Sequence, residues 1–76
     1  MLDKNMLKVA SRVLGVGTEE AKHIAKPVER TNAYYFYDSK RGGKQVIVDV
    51  DGSKLAAGSS VNYEKLVDEF KDGARN

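Results

Sequence analysis

A chain of 76 residues without cysteine has room for one domain, and it excludes a disulfide framework and a thiolate metal site. The formal net charge of +2 is too small to indicate a nucleic-acid-binding protein, and charged residues interrupt the apolar positions of residues 1–15, which excludes a signal peptide and a membrane span there. We therefore expect a single cytoplasmic domain covering residues 1–76.

The first predicted element is an amphipathic helix. Apolar residues recur at three- and four-residue spacing, while Lys4, Lys8 and Arg12 lie on or near the opposite face. Gly15 and Gly17 then supply stop signals for the helix. The apolar residues of this stripe are Leu2, Met6, Val9, Ala10 and Val13.

Residues 18–30 fit two descriptions. Thr18 followed by two glutamates is typical of a helix start, whereas the segment after it alternates apolar and polar residues as a strand does. Pro27 argues against a long helix and is tolerated at a sheet edge. We expect a turn at residues 18–20 followed by an edge strand from about Lys22 to Arg30, with a helix as the open alternative.

An aromatic run begins the clearer part of the predicted sheet. Residues 34–37 (YYFY) have high strand propensity, and alternation directs two rings to the core and two outward. The loop KRGGK closes this strand into a hairpin, with Gly42-Gly43 giving the positive φ values. A third strand from Lys44 to Asp51 has apolar residues on both sides, which indicates a central position, and a short fourth strand, Lys54 to Ala57, pairs back against it.

The stretch VIVDVDGSKL is the one that suggests chemistry. Phosphohydrolases of the haloacid dehalogenase type open with an apolar strand ending in Asp-x-Asp-Gly, but they need a parallel sheet with long crossovers, and too little chain follows Gly52 for that. An EF-hand loop counted from Asp49 would need a bidentate Glu at its twelfth position, where Ser60 stands. We interpret Asp51-Gly52 as a hairpin turn instead.

The last predicted element is a helix that lies on the sheet. Asn62 is a good N-cap, Val61 and Leu66 stand at the two positions of a hydrophobic staple, and Gly73 ends the helix. The fold class is therefore α+β and two-layer, with an N-terminal helix, an antiparallel three- to four-stranded meander and the C-terminal helix packed on the sheet. The apolar stripe of this helix is Tyr63, Leu66, Val67 and Phe70.

Catalytic and metal chemistry have little support in the sequence. The single histidine, His23, has neither a cysteine nor a clear serine elbow to join in a triad. The loop from Lys40 to Lys44 is not a Walker loop, because Gln45 follows the lysine where serine or threonine is needed. We expect no enzyme activity, no cofactor and no metal site.

The second half of the chain, residues 33–73, carries a resemblance. The order AYYFYDS, a loop, QVIVDVDGSKLAAGSS and VNYEKLVDEFKDG resembles the YrhB-like small bacterial immunity-protein domains of polymorphic toxin systems. The loop KRGGK is shorter than in many members, and the aromatic strand has tyrosines where a tryptophan is frequent. The resemblance implies a non-enzymatic protein that neutralises a toxin partner.

A surface for such a partner follows from the aromatic strand. Exposed tyrosines contribute large contact area at low entropic cost, so we expect Tyr35 and Tyr37 to face outward, with Lys40, Arg41 and Lys44 at the rim of a protein interface. The protein would act as a monomer or homodimer. Two alternatives stay open: an orphan structural or regulatory accessory domain, and, with less support, a weak nucleic-acid-binding protein that stacks bases beside the basic loop.

Overall fold

A computed structural model of the chain describes residues 2–40 and 43–76. The predicted α+β class is confirmed: two helices precede a four-stranded antiparallel sheet in the sequence, and a third helix follows it. In that order the elements are α1 (Lys4–Leu14), α2 (Thr18–Ile24), β1 (Lys26–Pro27), β2 (Tyr34–Asp38), β3 (Lys44–Val48), β4 (Lys54–Ala57) and α3 (Tyr63–Lys71).

Helix α1 begins and ends at residues that its sequence supplies. Asp3 is the N-cap, and its carboxylate accepts a hydrogen bond from the backbone N–H of Met6 at 2.9 Å. At the other end Gly15 takes the left-handed conformation with φ 72 and donates its N–H to the carbonyl of Ser11 at 2.8 Å. The residues of α1 that are buried are Met6, Ala10 and Leu14.

The segment after α1 corrects the predicted edge strand. Residues 22–24 belong to helix α2, and the strand is reduced to the two residues of β1. Glu19 and Glu20 occupy the first turn of α2, where negative charge is favourable beside the helix dipole. Pro27 lies at the sheet edge as expected, paired with Tyr34.

The sheet is a meander of order β1-β2-β3-β4. Strands β2 and β3 pair from Tyr34 opposite Val48 to Asp38 opposite Lys44, and β4 pairs with β3 on its other side. The central position predicted for β3 is confirmed. Of the two glycines predicted in the β2–β3 turn, Gly43 has φ 75, and Gly42 lies outside the described residues.

Helices cover both faces of the sheet. The domain therefore has three layers, helix, sheet and helix, and not the two layers that were expected. On one face α1 and α2 pack on Phe36, Val46 and Val48; on the other, α3 packs on Ile47 and Leu55. The reason lies in β3, whose apolar side chains point in both directions and need cover on both sides. Two hydrophobic clusters therefore share one thin sheet.

Helix α3 confirms the predicted cap. The Asn62 side chain accepts a hydrogen bond from the backbone N–H of Lys65 at 2.8 Å, and Gly73 follows the helix with φ 99. Leu66, Val67 and Phe70 are buried against the sheet. Tyr63, expected in the same stripe, is instead 42% exposed, because it lies at the start of the helix, near the β1 edge of the sheet.

No helix within residues 2–40 and 43–76 combines the length and the apolar character that crossing a bilayer would require.

Candidate functional site

An open groove of about 660 Å³ lies where the start of α3 meets the β1 edge of the sheet. We refer to it as the tyrosine groove, because the rings of Tyr35, Tyr37 and Tyr63 form its aromatic wall. Tyr35 and Tyr37 project from alternate positions of β2 onto the face that α3 covers, and Tyr63 comes down from the first turn of that helix. The remaining lining residues are His23, Ile24, Ala25 and Lys26.

The ring of Tyr35 is held in place from two sides. It contacts Tyr63 edge to face, with ring centroids 4.7 Å apart and an interplanar angle of 84°. Its hydroxyl donates a hydrogen bond to Oε1 of Gln45 at 2.7 Å. Tyr35 is therefore half-buried and fixed, whereas Tyr37 is 42% exposed and forms the open part of the wall.

Gln45 connects the tyrosine groove to the loop that precedes α3. The side chain is buried on β3, and Nε2 donates to the carbonyls of Gly58, at 2.9 Å, and Val61. With Oε1 accepting from Tyr35, the amide spans strand β2 and the loop in front of α3. A buried amide whose donors and acceptor are all used fixes one arrangement of these elements. No role was predicted for Gln45 from the sequence.

Gly43 lies close to Ser59 and to the hydroxyl of Tyr37. A Cβ at this position would lie 2.7 Å from Cβ of Ser59 and 3.5 Å from the hydroxyl oxygen of Tyr37. With φ 75, the residue also has a backbone conformation that favours glycine. The close approach places Gly43 against the loop before α3 and beside Tyr37.

The structure brings some of the predicted interface residues together and separates others. Tyr35 and Tyr37 share the groove, but Lys40 lies in the turn after β2 and Lys44 projects to the opposite face, where it lines a separate groove with Val13 of α1. Arg41 lies outside the described residues. The basic side chains that line the tyrosine groove are instead His23 and Lys26, from the segment whose structure the sequence left open.

The chemical environment of the three tyrosines disfavours negative charge on Tyr35. Burial raises the pKa of the Tyr35 phenol, and the neighbouring Tyr37 and Tyr63 phenols raise it further because two phenolates would repel. Tyr35 therefore stays a neutral hydrogen-bond donor to Gln45 across the physiological pH range.

We expect the stability of the protein to fall as the pH rises above about 10, the ordinary pKa of tyrosine in an unfolded chain. In that range the unfolded chain has released the Tyr35 proton while the folded chain still holds it. The folded state therefore binds more protons, and raising the pH lowers the free energy of unfolding. The stabilisation that comes from the neutral Tyr35 phenol is lost once the pH passes the pKa of the folded state. Urea unfolding of the wild type and of Tyr35→Phe at several alkaline pH values measures this, and the decline should be steeper in the wild type. Equal slopes would contradict the assignment.

The Asp-Gly turn after β3 is built from its own polar groups. The Asp51 carboxylate accepts hydrogen bonds from the Ser53 hydroxyl at 2.7 Å and from the Ser53 N–H at 2.9 Å, and these bonds lower the pKa of Asp51. Gly52 has φ 91, as the predicted hairpin turn requires. Asp49 pairs with Arg75, with Oδ2 and Nη2 3.3 Å apart. Both aspartates therefore have structural partners within the turn and the C-terminal segment.

Metal-ligating side chains do not converge in the part of the chain that the structure describes: no three His, Asp or Glu residues there are grouped as a cation would need.

Comparison with protein-family models, with curated proteins and with solved structures finds no match to this chain.

Proposed function

We propose that the chain is a small, non-enzymatic protein-binding module and that the tyrosine groove is its binding surface. The observation that carries the proposal is the convergence of Tyr35, Tyr37 and Tyr63, from two different elements, on one open groove. Tyrosine supplies large amphipathic contact area for two side-chain torsions, which is why it is enriched at protein interfaces. Tyr35 is held by its contacts, so part of the entropic cost of ordering the surface is already met.

The residues that line the tyrosine groove favour a partner segment that combines an apolar side chain with an acidic one. Its lining contains His23 and Lys26 and, among the described residues, no carboxylate. An apolar or aromatic anchor that enters between the rings, with an acidic residue next to it, would match both the rings and the ammonium group of Lys26. The groove thus suits a protruding segment of a protein partner better than a flat surface.

The finer proposal is that the partner is a toxin and that binding neutralises it in the cytoplasm, as the resemblance of residues 33–73 to immunity-protein domains implies. Immunity proteins act by binding alone, in keeping with a surface built from aromatic rings beside a lysine.

We expect Tyr37→Ala and Tyr63→Ala each to weaken binding of the partner by roughly thirtyfold or more, because a central aromatic contact is typically worth about 2 kcal/mol. The partner is first isolated by affinity capture of the tagged protein and mass spectrometry, and its affinity for each variant is then measured by titration calorimetry. Val50→Ala is the matched control, because Val50 is 45% exposed, similar to the two tyrosines at 42%, but lies in the Asp-Gly turn outside the groove.

The toxin-neutralising role is tested separately, by the growth of cells that express the partner. Expression of the captured partner alone should arrest growth, and co-expression of the wild type, but not of Tyr37→Ala, should relieve the arrest. A partner that is harmless to cells would leave a binding module without the immunity role. Capture of nucleic acid whose affinity falls steeply with salt concentration would instead favour the base-stacking alternative.

A further inference from the structure

The outer edge of strand β4 is covered by one residue, Asn76. Antiparallel strands direct the peptide groups of alternate residues to opposite sides, so Leu55 and Ala57 of β4 face β3 while Lys54 and Ala56 face outward. An outward-facing row of N–H and C=O groups is the usual template on which another strand adds. Here the groups of Ala56 are occupied by Asn76.

The Asn76 side chain imitates the peptide group of a neighbouring strand. Its Nδ2 donates to the carbonyl of Ala56 at 2.9 Å, and its Oδ1 accepts from the N–H of Ala56 at 2.9 Å. The backbone N–H of Asn76 donates to the carbonyl of Lys54 at 2.9 Å, and Lys54 Nζ donates to the Asn76 carbonyl at 3.0 Å. An amide that both donates to and accepts from one residue reproduces a hydrogen-bonded pair of an antiparallel ladder.

Arg75 holds this amide in position. Its guanidinium lies 3.7 Å from the centroid of the Phe70 ring, and Nη1 donates to the Phe70 carbonyl at 2.9 Å. Nε donates to the Ser53 hydroxyl at 3.0 Å, and Nη2 contacts Asp49. The C-terminal segment is therefore fastened to α3 and to the Asp-Gly turn, which keeps Asn76 at a high effective concentration beside β4.

The covered edge is self-complementary. If the β4 strands of two copies paired antiparallel about Ala56, each Ala56 would exchange both hydrogen bonds with its counterpart, and Lys54 would face Gly58 of the other copy. The two lysines would then not oppose each other. Ala56, Ala57 and Gly58 have no large side chains to obstruct the approach.

We propose that Asn76 guards the β4 edge against strand addition by a second copy of this chain. While the amide is bound to Ala56, the edge has no free ladder groups at its centre and the protein stays monomeric. When the amide is removed, two copies join their sheets through β4.

The test is the mass of the particle in solution for Asn76→Ala. Light scattering should give the wild type a single-chain mass of 8.4 kDa over the accessible concentration range. The variant should move toward twice that mass as its concentration rises, with dimerisation tightened at least about tenfold, since two hydrogen bonds of the monomer are lost. Asn76→Ala that stays monomeric at the same concentrations would overturn the proposal, and so would a wild type that dimerises as strongly.

A second substitution shows where the copies meet. Ala56→Pro in the Asn76→Ala background removes the outward N–H that a second β4 strand would need, and proline is tolerated in an edge strand, so it should restore the monomer. A dimer that persists in the double variant, or masses that grow beyond two copies, would contradict a β4–β4 interface. If the proline variant does not fold, amide exchange in Asn76→Ala decides: protection of the Ala56 N–H should rise with protein concentration, and protection independent of concentration would overturn the proposal.

Discussion

Replacing Phe36 with alanine is expected to lower the free energy of unfolding by about 3–5 kcal/mol. The ring is completely buried and belongs to the cluster that joins α1 to the sheet, which also contains Met6 and Val46. A domain of this length has a total stability of only about 4–11 kcal/mol, so the variant should be largely unfolded at mild denaturant concentrations. Urea unfolding followed by circular dichroism measures the change.

Tyr37→Ala provides the matched comparison for Phe36→Ala. Tyr37 is the next residue of the same strand, is similar in size and points to the other face, where it is exposed. Its loss should change the free energy of unfolding by less than about 1 kcal/mol. That result would also show that any loss of partner binding by Tyr37→Ala reflects the surface and not unfolding. If both variants were equally stable, the packing of β2 described above would be wrong.

Replacing Gln45 with leucine is expected to lower the free energy of unfolding by about 2–4 kcal/mol, although leucine is apolar and similar in size. The substitution removes the donor to the carbonyls of Gly58 and Val61 and the acceptor of the Tyr35 hydroxyl, which are three hydrogen bonds in all. At about 1 kcal/mol each, the three lost hydrogen bonds outweigh what a buried leucine side chain returns. Thermal unfolding of the two proteins compares them directly.

A double-mutant cycle distinguishes the stability that Gln45 contributes through Tyr35 from the stability that it contributes through the loop before α3. Tyr35→Phe removes one hydrogen bond and should cost about 1 kcal/mol, and its combination with Gln45→Leu should cost less than the sum of the two. Additive losses would mean that Gln45 acts on the loop alone and does not position Tyr35. In that case the tyrosine groove would not depend on the buried amide.

Much of the fold was predictable because the local signals agree with the tertiary contacts. The N-cap at Asn62, the Asp51-Gly52 turn, the fourth strand at Lys54–Ala57 and the central position of β3 were each specified by residues within a few positions of the feature. Such features rest on backbone conformation and hydrogen bonds between near neighbours.

The segment of α2 was not predictable in the same way. Seven residues give less than two full helical repeats, so apolar periodicity cannot distinguish this helix from a strand. Pro27 was correctly placed at an edge, but it follows the helix and does not lie within a long strand. The contacts of Ala21 with the core settle the conformation, and they depend on where α1 lies.

The candidate site was only half predictable, for a related reason. The strand pattern placed Tyr35 and Tyr37 on one face, but nothing local to β2 indicates that Tyr63 of α3 would contact Tyr35 there. Gln45 lies in an apolar strand at a position whose burial depends on the face that α3 covers. The signal that could have found it is an amide on the same strand face as Ile47, because a buried amide at such a position needs hydrogen-bond partners.

Strand β3 contributes Val46 and Val48 to the cluster under α1 and Ile47 to the cluster under α3. Because neither cluster has a sheet of its own, detaching either set of helices exposes apolar side chains of the strand on which the other set depends. We therefore expect the three layers to unfold together as one cooperative unit. A destabilising substitution in one cluster should accordingly lower the free energy of unfolding of the whole domain.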